Sequence, residues 1–220
     1  MYICFMDITL DNIIPLPLKE NLEKRPSEVW HNEIIFTPAG KVKIKAPSGT
    51  GKTTLVHFLY GLRKDYIGSL QWDGKSQLAL DSDQVASYRQ KHLSVVFQDL
   101  RLFAHLTARE NIELNRVLQE PFYPATVIDE MAAELHVDHI LEQKAGICSY
   151  GEQQRIAIIR ALIQPFSLLV MDEPFSHLDK ANTQKAAAMI DRECDKRKAG
   201  FILLDLDEDQ YFNYNTYLNL

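Results

Sequence analysis

The sequence predicts an α/β fold: a strand-and-helix core with an inserted helical subdomain. Strand-like runs at residues 41–45, 93–97, 168–171 and 201–204 alternate with helix-like stretches, which is the pattern of a sheet covered by helices. The run KVKIKA enters the glycine-bearing turn PSGTGKTT and then the apolar helix LVHFLYGL. Between residues 99 and 147 the pattern turns helical, first RENIELNRVLQ and then TVIDEMAAELHVDHILEQ. The polar, proline-bearing stretch 15–26 reads as loop.

At 220 residues the chain is expected to form one domain (1–220). Residues 1–98 and 148–220 would be its α/β core, and 99–147 its helical subdomain. The formal charge of −6 argues against a nucleic-acid backbone as main partner. Three cysteines, Cys4, Cys148 and Cys194, form no C-x-x-C pair. A reducing compartment is therefore expected rather than a disulfide framework or a zinc ribbon. The start MYICFMDITLDN is acidic where a signal peptide would be basic, and no apolar run is long enough to span a bilayer. Any membrane role is expected to come through a partner.

The strand–turn–helix at 41–62 has the layout of a phosphate loop. Gly49 and Gly51 let successive backbone N–H groups turn inward on anionic oxygens. The helix starting near Lys52 adds the positive end of its dipole. Ser48, Gly49, Thr50, Gly51, Lys52, Thr53 and Thr54 would surround the phosphates, Lys52 would reach the β- and γ-phosphates, and the Thr53 hydroxyl would ligate Mg²⁺. One departure from G-x-x-x-x-G-K-[ST] is Ala46 at the first glycine. Alanine serves there if its φ is negative.

The run at 168–171 ends in Asp172-Glu173-Pro174. Two carboxylates at a buried strand tip suit a metal ligand, Asp172, beside a general base, Glu173. Alone such a tip is weak evidence; about 120 residues after a phosphate loop it is strong.

The stretch CSYGEQQRIAIIRAL at 148–162 resembles the L-S-G-G-Q signature of ATP-binding cassette (ABC) ATPases, with Q-Q-R-x-A-I-x-R-A-L intact. VVFQDLRLF with Gln98, LTARENIEL, and MDEPFSHLD with Asp172, Glu173 and Asp179 follow the same family pattern in order and spacing. The resemblance covers nearly the whole chain and implies a P-loop NTPase core of ABC ATPase type. It further implies MgATP as cofactor and two cassettes, in a homo- or heterodimer, closing head to tail on ATP. Ser149 and Gly151 would then contact the partner's γ-phosphate, and Gln98 would sense Mg²⁺ and the attacking water. Catalysis would fall to Glu173, Lys52 and Gln98, and metal binding to Thr53, Gln98 and Asp172. A transmembrane permease would be driven from the inner face of the cell membrane. FQDLRLFAHLTARENIEL looks most like cassettes of lipoprotein-release and macrolide-export systems.

Several positions depart from that pattern. The signature carries Cys148, Tyr150 and Glu152 for Leu, Gly and Gln, and SHLD carries His177 where the family more often has Ala. Aligning FILLDLDED to the family's Thr-His-Asp turn puts Leu206 at the switch histidine, and no histidine follows His177. A donor aimed at transition-state charge is typically worth about 10²–10³ in rate, so hydrolysis is in question. His177 is a candidate to replace it across the dimer. Trp30 is the nearest candidate to stack on adenine. Two functions are therefore expected from different classes: a transport ATPase, or a nucleotide-gated switch that hydrolyses negligibly.

Overall fold

The computed structural model describes residues 6–22 and 26–220; Cys4 lies outside them. Two sheets form the frame. A five-stranded parallel sheet has the order β6-β7-β8-β3-β9, with β3 Lys41–Lys45, β6 Leu93–Val96, β7 Leu168–Asp172, β8 Gly200–Asp205 and β9 Thr216–Asn219. A four-stranded antiparallel sheet has the order β2-β1-β4-β5, built from β1 Ile8–Pro15, β2 Glu33–Phe36, β4 Tyr66–Trp72 and β5 Lys75–Ser76.

Strands β6, β7 and β8 are largely apolar and buried on both faces, as a doubly covered sheet requires. Along β8, Phe201 and Leu203 join the core shared with the helices α4 Ala108–Val117, α5 Thr126–Glu134, α6 Tyr150–Ile163 and α7 Lys180–Arg197. Ile202 and Leu204 face the other core, shared with the antiparallel sheet, α2 Lys52–Leu59 and α3 Ser82–Lys91. Three helix starts carry full capping boxes: Asp81 with Gln84, Thr107 with Glu110, and Ser149 with Glu152.

The structure departs from the sequence reading in one stretch and extends it elsewhere. The stretch 15–26 is not simply loop: Leu16–Leu18 form a 3₁₀ turn and Lys19–Leu22 a short helix, α1. The run at 201–204 is the central strand, paired with both β7 and β3. The final strand is β9, which the polar alternation TYLN conceals. The antiparallel sheet was also hidden, because its turns interrupt mixed polar and apolar residues.

Candidate functional site

All the expected chemistry except the signature motif leaves the C-terminal edge of the parallel sheet, where α/β folds bind ligands. The phosphate loop follows β3, the Gln98 segment follows β6, Asp172-Glu173 ends β7, and the Asp205–Asp209 turn follows β8. A cavity of about 420 Å³ opens there, lined by Pro47, Ser48, Gly49, Gly51, Lys52, Thr53 and Thr54, with Leu18, Gln98, Glu173 and Leu206.

Gly49 and Gly51 take φ of 80° and 99°, a region that strains any residue with a Cβ. At Gly51 a Cβ would also meet Leu18 at 2.6 Å and the Trp30 ring at 3.2 Å. Trp30 therefore is not an adenine platform. Its ring is buried, meets Phe58 edge-on, and donates Nε1–H to the Thr50 carbonyl at 3.0 Å. This contact braces the loop from below, on the side where Gly51 leaves no room for a Cβ. Leu18, which no sequence signal marked, reaches the cavity instead. Thr50 does not line the cavity: its hydroxyl donates to Pro47 O at 2.8 Å. Ala46, at the departed glycine, has ordinary negative φ, is fully buried and continues the β8 pairing by donating its N–H to Asp205 O at 2.8 Å.

Lys52 Nζ forms an ion pair with Glu173 Oε1. Glu173 sits at φ 47°, an unusual conformation for a residue with a long side chain. Its N–H donates to Leu204 O at 2.9 Å, so β8 holds the turned backbone. Thr53 Oγ1 donates to Asp172 Oδ2 at 3.2 Å, while Asp172 Oδ1 is buried with no protein hydrogen-bond partner. Burial raises the Asp172 carboxyl to about 6, against the pull of Lys52 and the Thr53 hydrogen bond. A hydroxyl, an unpartnered carboxylate oxygen and the nearby Gln98 amide form an all-oxygen donor set, which fits a hard ion such as Mg²⁺.

Gln98 lines this cavity and a second one of about 350 Å³, which is shared with Thr53, His57, Arg101, Tyr150, Asp172 and His177. The segment beyond Gln98 turns sharply through Leu100 and Arg101, at φ 57° and 49°. Arg160 of α6 holds it, donating to Leu100 O at 2.5 Å and Arg101 O at 2.7 Å. Arg160 lies in the signature helix, but nothing in the sequence linked it to the Gln98 segment.

Ser149 and Gly151 line neither cavity. Ser149 caps α6, with its N–H and hydroxyl both donating to Glu152 Oε2, at 2.7 and 2.8 Å. Gly151 abuts the 176–179 loop, where a Cβ would lie 2.9 Å from His177 O. Gln154 bridges the two motifs: its Nε2 donates to Glu173 O at 3.0 Å and its Oε1 accepts from His177 N at 2.9 Å.

Beyond β8 the turn carries Leu206 into the phosphate cavity. Buried Lys43 holds this turn, pairing with Asp209 and lying 3.7 Å from Asp205. Tyr214 OH donates to Asp209 at 2.7 Å.

A glycine loop at a parallel strand's end, a lysine on the following helix and an acidic strand tip beside it define a phosphate-loop nucleotide-binding protein. The family model described as "ABC transporter" matches residues 35–176. The chain belongs to the ABC transporter ATP-binding family.

Among its relatives, an uncharacterized ABC transporter ATP-binding protein, YvcR of Bacillus subtilis, is 33% identical over 168 residues, 76% of this chain and 65% of the relative. The thiamine import ATP-binding protein ThiQ of Escherichia coli is 30% identical over 166 residues, 74% of this chain and 69% of the relative. The lipoprotein-releasing system ATP-binding protein LolD of Buchnera aphidicola is 35% identical over 143 residues, 64% and 62%. The fold is that of the dimeric bacterial ABC transporter cassette MJ0796, with a TM-score of 0.73, 23% identity and coverage of 91% of this chain and 88% of that one. A bacterial Atm1-family ABC exporter with ATP bound gives a TM-score of 0.78 at 21% identity, over 100% of this chain and 38% of that one. No helix among the described residues is long and apolar enough to cross a membrane.

Proposed function

We propose that the chain is the ATP-binding and ATP-hydrolysing subunit of an ABC transporter, two cassettes closing on MgATP to drive a separate membrane subunit. The observation that carries this is the convergence of Lys52, Thr53, Gln98, Asp172 and Glu173 on one phosphate loop. Dimeric cassettes with this fold, and relatives named as ATP-binding proteins of import and release systems, support it.

The loop N–H groups and Lys52 would hold the β- and γ-phosphates, releasing Glu173 from its ion pair. Glu173 would then take a proton from a water positioned with Gln98 as the water oxygen attacks the γ-phosphorus and the bond to ADP breaks. Thr53, Asp172 and Gln98 would hold Mg²⁺, which neutralises phosphate charge when bound. Ser149 and Gly151, at the N-terminus of α6, would face the nucleotide of a second cassette. The region 99–147 would dock the membrane subunit, placing the cassette on the inner face of the membrane.

One observation favours a second reading. Leu206, an apolar residue, lines the phosphate cavity from the turn where the family pattern has its switch histidine, which suits a cassette that closes on ATP without turning it over. Phosphate release from MgATP across a range of protein concentrations, beside Glu173→Gln, separates the two. Release that rises faster than linearly and vanishes in the variant supports the ATPase. ATP binding with no release supports the switch.

A further inference from the structure

Two residues that depart from the cassette pattern meet in the fold. The rings of Tyr150, in the signature motif, and His177, in the SHLD loop, lie with centroids 4.3 Å apart and planes at 44°. The main chain around His177 is held to the catalytic strand tip, because Gln154 binds both His177 N and Glu173 O. The backbone of His177 therefore keeps a defined place relative to that of Glu173.

The open ring nitrogen of His177 can be identified as well. Ser176 Oγ accepts from Gln154 Nε2 at 3.4 Å and lies 2.9 Å from His177 Nδ1. The Ser176 hydroxyl and Nδ1 thus share one hydrogen bond, which leaves Nε2, without a hydrogen-bond partner among the described residues, as the ring nitrogen open to a ligand. Both rings line the 350 Å³ cavity together with Thr53, Gln98 and Asp172 of the same chain.

We propose that His177 supplies, to the nucleotide held by its own phosphate loop, the hydrogen-bond donor that the Leu206 turn lacks, and that Tyr150 is the positioning residue that holds its ring there. The inference rests on the hydrolytic reading above and deepens it. As water attacks and the bond to ADP breaks, negative charge gathers on the γ-oxygens. His177 Nε2–H donates a hydrogen bond to that charge and transfers no proton, and the water's proton goes to Glu173. A preorganised donor of this kind is worth about 10²–10³ in rate.

The test uses the full chain, with ATP binding and phosphate release measured on the same samples. His177→Ala is expected to slow release about a hundredfold while leaving ATP affinity within threefold. Tyr150→Gly, which restores the family residue, is expected to slow release by a similar factor, and Tyr150→Phe to keep it. Because the two rings act as a unit, the double variant falls no further than His177→Ala. Mixing His177→Ala with Glu173→Gln protein tests the placement within one chain. No recovery of activity is expected; recovery means that His177 serves the partner's nucleotide and overturns the assignment. Normal release by His177→Ala overturns the inference and leaves the ATPase standing. ATP binding without release by the unaltered chain overturns both.

Discussion

Lys52 of the phosphate loop is ion-paired with Glu173 at the tip of β7. The cation proposed to hold phosphate and the carboxylate proposed to activate water thus neutralise one another, and on that proposal nucleotide separates them before either acts. Glu173→Gln removes the competitor for Lys52 and should tighten ATP binding about tenfold, the equivalent of ~1.4 kcal/mol, while phosphate release disappears. Equilibrium binding of MgATP checks the first effect, and unchanged affinity would show that the pair opens at no cost.

Asp172 links stability to pH. Its carboxyl is raised to about 6 by burial, so the folded chain holds a proton that the unfolded chain has released. Stability falls as pH rises from about 4 to about 6, and the full penalty, about 3 kcal/mol, stands above that. Asp172→Asn removes a buried charge and should raise the melting temperature at pH 8 without metal, with the gain shrinking toward pH 4. A gain that is constant with pH would place the titration elsewhere.

Glu152 places a carboxylate at the start of α6, where Ser149 N–H and Oγ–H hold it below the usual carboxylate range. That charge lies at the helix N-terminus that we propose faces a second cassette's phosphate. Glu152→Gln keeps the capping geometry and should strengthen ATP-dependent self-association by about fivefold, ~1 kcal/mol of helix-end electrostatics. Sedimentation with ATP at low and high salt checks this, and the gain should shrink as salt rises.

Trp30 carries the phosphate loop on its ring and on its hydrogen bond to Thr50. Trp30→Ala should cost about 3–5 kcal/mol of stability and weaken ATP binding. Trp30→Phe keeps most of the bulk and loses the bond, so it should cost about 1 kcal/mol. Denaturant unfolding of both variants separates packing from hydrogen bonding.

Lys43, buried beneath the Leu206 turn, pairs with Asp209. Lys43→Met leaves that carboxylate without its cation and should destabilise the chain by about 3–5 kcal/mol. The joint replacement Lys43→Met with Asp209→Asn should recover much of the loss, which thermal unfolding would show.

The short motifs of this protein are its most legible part. The phosphate loop, the acidic strand tip and the signature stretch each need particular residue types in consecutive positions, so Lys52, Asp172 and Gly151 can be found without coordinates. The sequence also carried the parallel strands, since burial on both faces makes them nearly continuous apolar runs. Strand β9 and the antiparallel sheet were not legible, because their half-exposed strands mix polar with apolar residues and only pairing identifies them.

The sequence by itself determined the family, the phosphate-directed residues and the absence of a histidine beyond His177. Only the tertiary structure decided that Trp30 lies beneath the loop rather than against a base, that Lys52 and Glu173 hold each other, and that Tyr150 and His177 stack. Those are contacts between residues 20 to 121 positions apart in the chain. Local sequence sets which groups are present, but the distances between such groups follow from how the strands and helices pack.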